Sequence, residues 1–101
     1  MVKLIALYRQ PNDKEAFDEH YTSVHTPLVE QVPGLEKLEV TRIVGTPMGK
    51  PAGYYLMAEM YFADQASYEA AMASKENRAA GKDLMSFAGD IVEMMVGESD
   101  V

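Results

Sequence analysis

Residues 2–9 are apolar on both alternating faces: Val2, Leu4, Ala6 and Tyr8 form one set, Ile5 and Leu7 the other. Such a strand is covered on both sides. Pro11-Asn12-Asp13 ends it, and Asn12 with Glu15 has the spacing of a capping box. The pattern then predicts a helix from about 13 to 31, because Phe17, Tyr21, Val24, Leu28 and Val32 recur three and four residues apart. Pro27 lies inside it. Its ring clashes with the carbonyl of Ser23 and its nitrogen donates nothing, so a kink or break is expected near His25-Thr26. Pro33-Gly34 closes the segment. A second strand is expected at about 35–45, with Leu38, Val40 and Val44 on one face. Tyr54 to Phe62 reads as a third strand. Asp64 is placed to cap a helix through about Ala73, with Tyr68, Ala71 and Met72 inward. Ser74 caps a second piece over 75–87, with Leu84 and Phe87 apolar. Asp90 to Val96 reads as the last strand, and the polar tail from Gly97 to Val101 is expected to fray.

The order β-α-β-β-α-β predicts an α+β, ferredoxin-like fold: a four-stranded antiparallel sheet with helices on one face. One length of 101 residues fits a single domain over 1–101. The other face of the sheet is bare in one copy. Strand 3 offers it either Tyr54, Leu56, Ala58, Met60 and Phe62 or Tyr55, Met57, Glu59 and Tyr61. An apolar face of that size is a partner site, and two copies packed sheet to sheet as a homodimer would bury it.

Composition narrows the partners. The formal net charge is −7 and the nine Lys and Arg are scattered, so no basic patch invites nucleic acid or an anionic membrane. There is no cysteine, which excludes disulfides, thiolate catalysis and cysteine-ligated zinc. The apolar run before Arg9 is too short for a signal peptide, and the longest apolar stretch, Tyr54 to Ala63, is interrupted by Glu59. A soluble, cytoplasmic protein is expected. Gly45 to Gly53 holds three glycines and two prolines. Gly45-x-x-x-Gly49-Lys50 superficially resembles a phosphate loop, but the spacing is one residue short and Pro51 replaces the Ser/Thr. A hairpin loop accounts for it better.

The whole pattern resembles a known family. Tyr8-x-x-Pro11, Phe17-x-x-His20-Tyr21-x-x-x-His25-x-Pro27-Leu28 and Val32-Pro33-Gly34-Leu35 are similar to the EthD family of the dimeric α+β barrel superfamily. Phe62 through Ser67, Met72-Ala73-Ser74 and the stretch to Phe87-Ala88 fit it as well. The resemblance implies a homodimer with stacked sheets. It takes its name from a gene cluster for ethyl tert-butyl ether degradation, where its role is unsettled. Similar domains are linked to cofactor-free cyclisation, dehydration or decarboxylation, and related barrels include lactone isomerases and haem-degrading monooxygenases. Fold alone does not choose among these.

Seven residues carry the candidate chemistry. His25 titrates near neutral pH and can move a proton without a cofactor; the family's recurrent histidine maps onto it. A structural histidine capping the helix end is the alternative. Tyr21, one turn earlier, shares its face and could orient the imidazole, or could be an amphipathic core tyrosine. His20 lies five residues before His25, about 140° around a regular helix, which separates the two and argues against a shared metal. It reads as a pocket-rim residue. Glu59 could be a second acid/base if buried, or could pair with a cation such as Arg42. Tyr8, His20, Tyr55 and Tyr61 are candidates to contact a substrate, although core and interface packing would use the tyrosines equally well.

Three functions follow as expectations. The first is a cofactor-free acid–base enzyme of isomerase, cyclase or lyase type, using His25, Tyr21 and Glu59 on a small apolar or aromatic metabolite. The second is a non-catalytic carrier or accessory protein with the same pocket. The third is a haem-handling barrel with His25 as axial ligand. No metal and no cofactor are expected for the first two.

Overall fold

A computed structural model describes residues 1–99. Four strands, β1 (Val2–Arg9), β2 (Leu35–Arg42), β3 (Tyr54–Phe62) and β4 (Val92–Glu98), form one antiparallel sheet in the order β2-β3-β1-β4. The helices are α1 (Lys14–His20), α2 (Thr26–Val29), α3 (Gln65–Met72) and α4 (Lys75–Ala88). Together the sheet and helices make the ferredoxin-like fold. The central strands β1 and β3 set the core: Val2, Leu4, Ala6 and Tyr8 pair with Phe62, Met60, Ala58 and Leu56 and are buried under the helices. Asp64 and Ser74 cap α3 and α4 through bonds accepted from the amides of Ser67 and Asn77. The cap of α1 is Asp13, which accepts from Ala16; the Asn12–Glu15 box does not form.

Between α1 and α2 the helix widens into one π-helical turn, Tyr21–His25, where the amide of Thr26 bonds the carbonyl of Tyr21 five residues back. The helix runs on through Pro27 without a break, and the irregularity expected near His25-Thr26 takes the form of this π turn. Widening the preceding turn releases the Ser23 carbonyl from a partner that proline cannot supply. The extra residue shifts the inward stripe by one. Val24 is exposed, and His25 and Val29 take the buried positions. Gly34, at φ 80°, supplies the left-handed turn into β2.

Three sequence boundaries move. β2 stops at Arg42, leaving Val44 in the loop and 93% exposed. β4 begins at Val92, and Gly97 and Glu98, expected to fray, pair with Lys3 and Val2. Asp100 and Val101 of that tail lie outside the described residues. Pairing also slips between Tyr8 and Arg9, where Arg9 faces Tyr54 and Tyr55 is left over. This bulge breaks the alternation, so Tyr55 and Leu56 both join the helix-side core.

The uncovered face carries Lys3, Ile5 and Leu7 of β1 beside Tyr61, Glu59 and Met57 of β3, in register with Lys37, Glu39 and Thr41 of β2 and with Gly97, Met95 and Glu93 of β4. No helix among the described residues is long and apolar enough to cross a membrane.

Candidate active site

The π turn brings two histidines onto one carboxylate. Asp83, on α4, places Oδ1 2.8 Å from Nε2 of His20 and Oδ2 3.0 Å from Nδ1 of His25. A regular helix would separate these rings; a turn with one more residue brings positions five apart toward the same neighbour. The separation expected for His20 and His25 is thus corrected. Both nitrogens point at the carboxylate rather than at a common vacant point, and among the described residues no group of three or more His, Asp or Glu side chains is arranged to hold a metal ion.

A carboxylate only accepts hydrogen bonds, so Nδ1 of His25 and Nε2 of His20 each carry the hydrogen. In the neutral His25 ring, Nε2 is then a lone pair. Phe87 packs against both imidazoles, at 4.4 Å from His20 and 5.2 Å from His25. The Tyr21 ring lies 5.6 Å from that of His25, and the Tyr8 ring 5.7 Å from that of Tyr21. His25 is 5% exposed. Burial lowers its pKa below the ordinary histidine value, against the opposing pull of Asp83, so the ring is neutral at pH 7. Burial also pushes the Tyr21 phenol up to about 12 and raises that of Tyr8, where Tyr21 and the Asp83 charge add to it. Both phenols stay protonated.

His25 lines a cavity of about 350 Å³ between α4, α2 and the sheet. Leu4, Val29, Met60, Met72, Ala80 and Leu84 make its walls, and the half-exposed Met85 and Met94 stand at its mouth. Asn77 is its second polar group, with its amide nitrogen directed at the carbonyl and sulfur of Met72, 3.4 and 3.7 Å away. Its carbonyl oxygen is left to accept. Gly81 also borders the space, and a Cβ built there would meet nothing within 4 Å.

The structure groups the candidates unevenly. His25, Tyr21, Tyr8 and His20 come together around Asp83. Glu59 does not: it lies on the uncovered face, 2.7 Å from the ammonium of Lys3. Its pairing with Arg42 is also corrected, because Arg42 is on the helix side, 2.7 Å from the Tyr55 hydroxyl and 3.3 Å from Asp18. Tyr55 packs 5.6 Å from Phe17, and its hydroxyl is held by Asp18 at 2.9 Å. Tyr61 stands on the uncovered face, with Lys3 and Lys37 each 5.3 Å from its ring. Asp83 was not singled out by sequence. The available signal was its place beside Leu84 and one turn before Phe87, where an acid borders an apolar stripe.

Residues 9–90 match the EthD domain family. The chain belongs to the EthD family. A solved EthD family protein from Bacillus halodurans is 56% identical, with a TM-score of 0.94 and 98% of each chain covered. An uncharacterised 11.0 kDa protein from the thcB-thcC intergenic region of Rhodococcus erythropolis is 34% identical over 99% of this chain and 96% of its own. Two solved structures share the fold alone. One is a hydroxynitrile lyase from Passiflora edulis (13% identity, TM-score 0.76, 99% and 94% covered). The other is a dimeric ferredoxin-like protein of unknown function from Bacteroides fragilis (17% identity, TM-score 0.66, 97% and 95% covered).

Proposed function

We propose that this EthD protein is a cofactor-free acid–base enzyme acting on a small, neutral, apolar or aromatic molecule, with Nε2 of His25 as the base. The observation that carries this reading is the neutral imidazole, pinned through Nδ1 by Asp83, at the wall of an apolar cavity. Asp83 fixes the tautomer, and Tyr21 and Phe87 hold the ring. Abstraction from an O–H or an activated C–H serves an isomerisation, a cyclisation or a lyase step alike. A lyase among the proteins of this fold agrees with that class. The substrate is finer still: Nε2 of His25 and the oxygen of Asn77 are both acceptors. A phenol, enol or other hydroxyl compound matches them, and an anion does not. The net charge of −7 works against anions as well. Glu59 has no part in this step.

The same chain forms a homodimer through the uncovered face. Ile5, Leu7, Met57 and Met95 give that face its apolar surface, and a protein of the same fold is dimeric.

A thermal-shift panel of small phenols, enols, lactones, quinones and polycyclic aromatics tests the site. A ligand at 100 times its Kd stabilises the folded state by about 2.7 kcal/mol. Hydroxyl compounds should raise the melting temperature of wild type and not of His25→Ala. Equal shifts in both proteins would make it a carrier of apolar metabolites, and no shift with any hydroxyl compound removes the substrate class.

A further inference from the structure

We propose that His20 and His25 share one excess proton across Asp83, so that a proton gained by His25 in the cavity is matched by one lost from His20 to water elsewhere. The proposal rests on the reading of His25 as the base, and it gives His20 and Asp83 a role that neither has alone.

The geometry is a carboxylate with each oxygen committed to a different imidazole, 2.8 and 3.0 Å away. The Asp83 side chain is 13% exposed, so the rings, not water, are its main partners. The rings differ in their access to solvent: the side chain of His20 is 33% exposed and that of His25 is 6%. They also open into different recesses. His20 lines a groove of about 390 Å³ between the start of α1, at Asp13 and Phe17, and the end of α4, at Phe87 and Asp90. None of the residues lining that groove lines the His25 cavity.

One carboxylate balances one positive charge. A second imidazolium in the same cluster would be unpaired and close to the first, which disfavours it. An extra proton therefore settles on His20, where water solvates the charge. Beside Asp83 and His20, the neutral phenol of Tyr21 neighbours His25, that of Tyr8, from β1, lies behind it against Tyr21, and Asp13 and Asp90 share the groove that His20 lines. In turnover, the substrate X–H bond breaks and leaves its electron pair on X. The proton goes to Nε2 of His25, which becomes the imidazolium paired with Asp83. The Nδ1–H bond of His20 breaks and its proton goes to water in the groove. The three-residue cluster is neutral before and after, and the charge gained by the interior is that of X⁻, which lies beside the new His25 imidazolium. His20 is a positioning residue here, since it touches no substrate.

Histidine-specific ¹⁵N labelling of the full chain, with ring nitrogens followed by NMR from pH 4.5 to 9, tests this without a ligand. In wild type, the His25 signals should respond at the midpoint of His20 as well as at their own. In His20→Gln, where the amide can still donate to Asp83 but carries no charge, the His25 midpoint should rise by about 0.5–1 unit, a three- to tenfold gain in proton affinity. Independent single transitions in wild type, or a His25 midpoint unmoved in His20→Gln, overturn the sharing. The wild-type curves decide alone if the variant does not fold. The same spectra judge the base separately: a wild-type His25 with its hydrogen on Nε2 at pH 7 overturns the base reading, while the response to His20 still reports on the sharing.

Discussion

The two sides of the sheet both set charge among apolar side chains, and they treat it differently. On the uncovered side, Lys3 meets Glu59 at 2.7 Å and Lys37 meets Glu39 at 3.1 Å, with the Tyr61 ring between the two ammonium groups. Each cation has its anion. On the helix side, one carboxylate serves two imidazoles, each keeps a second ring nitrogen, and His25 lines a cavity. Saturated pairs hold a surface in shape; a pair with a spare acceptor next to a cavity can take a proton from something else. Burial alone does not separate the cases, since Glu59 is 8% and His25 5% exposed.

Substitutions sharpen the contrast. The largest expected effect is on turnover of whichever hydroxyl compound binds. His25→Ala should cost about two to four orders of magnitude in kcat, and Glu59→Gln less than about tenfold. Comparable losses in both would dissolve the distinction between the faces. Next in size is stability. Asp83→Ala leaves the buried N–H of His25 without a partner and should cost about 1–3 kcal/mol in chemical denaturation. Glu59→Ala frees a lysine that reaches water in a single protomer, 24% exposed, so it should cost less than about 1 kcal/mol within the fold and act instead on dimer dissociation.

The cavity offers a third lever at Gly81. Gly81→Ala should stabilise α4 by about 0.5–1 kcal/mol, because glycine in a helix interior loses more backbone freedom than alanine. Gly81→Leu should fill the space and abolish ligand-induced melting shifts while His25 stays intact. A ligand shift that survives Gly81→Leu places binding elsewhere.

The smallest effect is pH dependence. The folded-state pKa of His25 lies below its unfolded value of 6.5, so the unfolded chain binds the proton first. Its contribution to stability is present above pH 6.5 and is lost as pH falls through the folded value. His25→Phe should flatten the acid limb of a stability–pH curve. At the other end, the Tyr21 phenol, about 12 when folded against 10 when unfolded, contributes stability that fades as pH rises from 10 toward 12.

Much of this architecture was legible in the sequence because short periods carry it. The alternation in β1 and β3 and the caps at Asp64 and Ser74 are local signals, and each led to the observed element. The site was half legible. His25 stood out by its chemistry, but its partner did not, since Asp83 is 58 positions away in the chain. The stripe through Val24 and Leu28 assumed a regular helix; the π turn moved it to His25 and Val29. Tyr55 was misplaced for a similar reason: a bulge, like a π turn, adds one residue and resets the period. Glu59 was correctly read as a charge needing a partner, and the partner came from the strand on its other side.

That added residue has a bearing on how such a site is traced through a lineage. Removing Val24 and closing the segment Tyr21–His25 to a plain helix would leave everything after it in nearly the same orientation, because the π turn is a regular turn with one residue added. His25 and Val29 would keep their inward places on the stripe of Phe17 and Tyr21. Straightening the segment at full length would instead return Val24 and Leu28 to the interior and turn His25 outward. In a comparison of related genes, a histidine one position earlier in a segment shorter by one is then the same histidine.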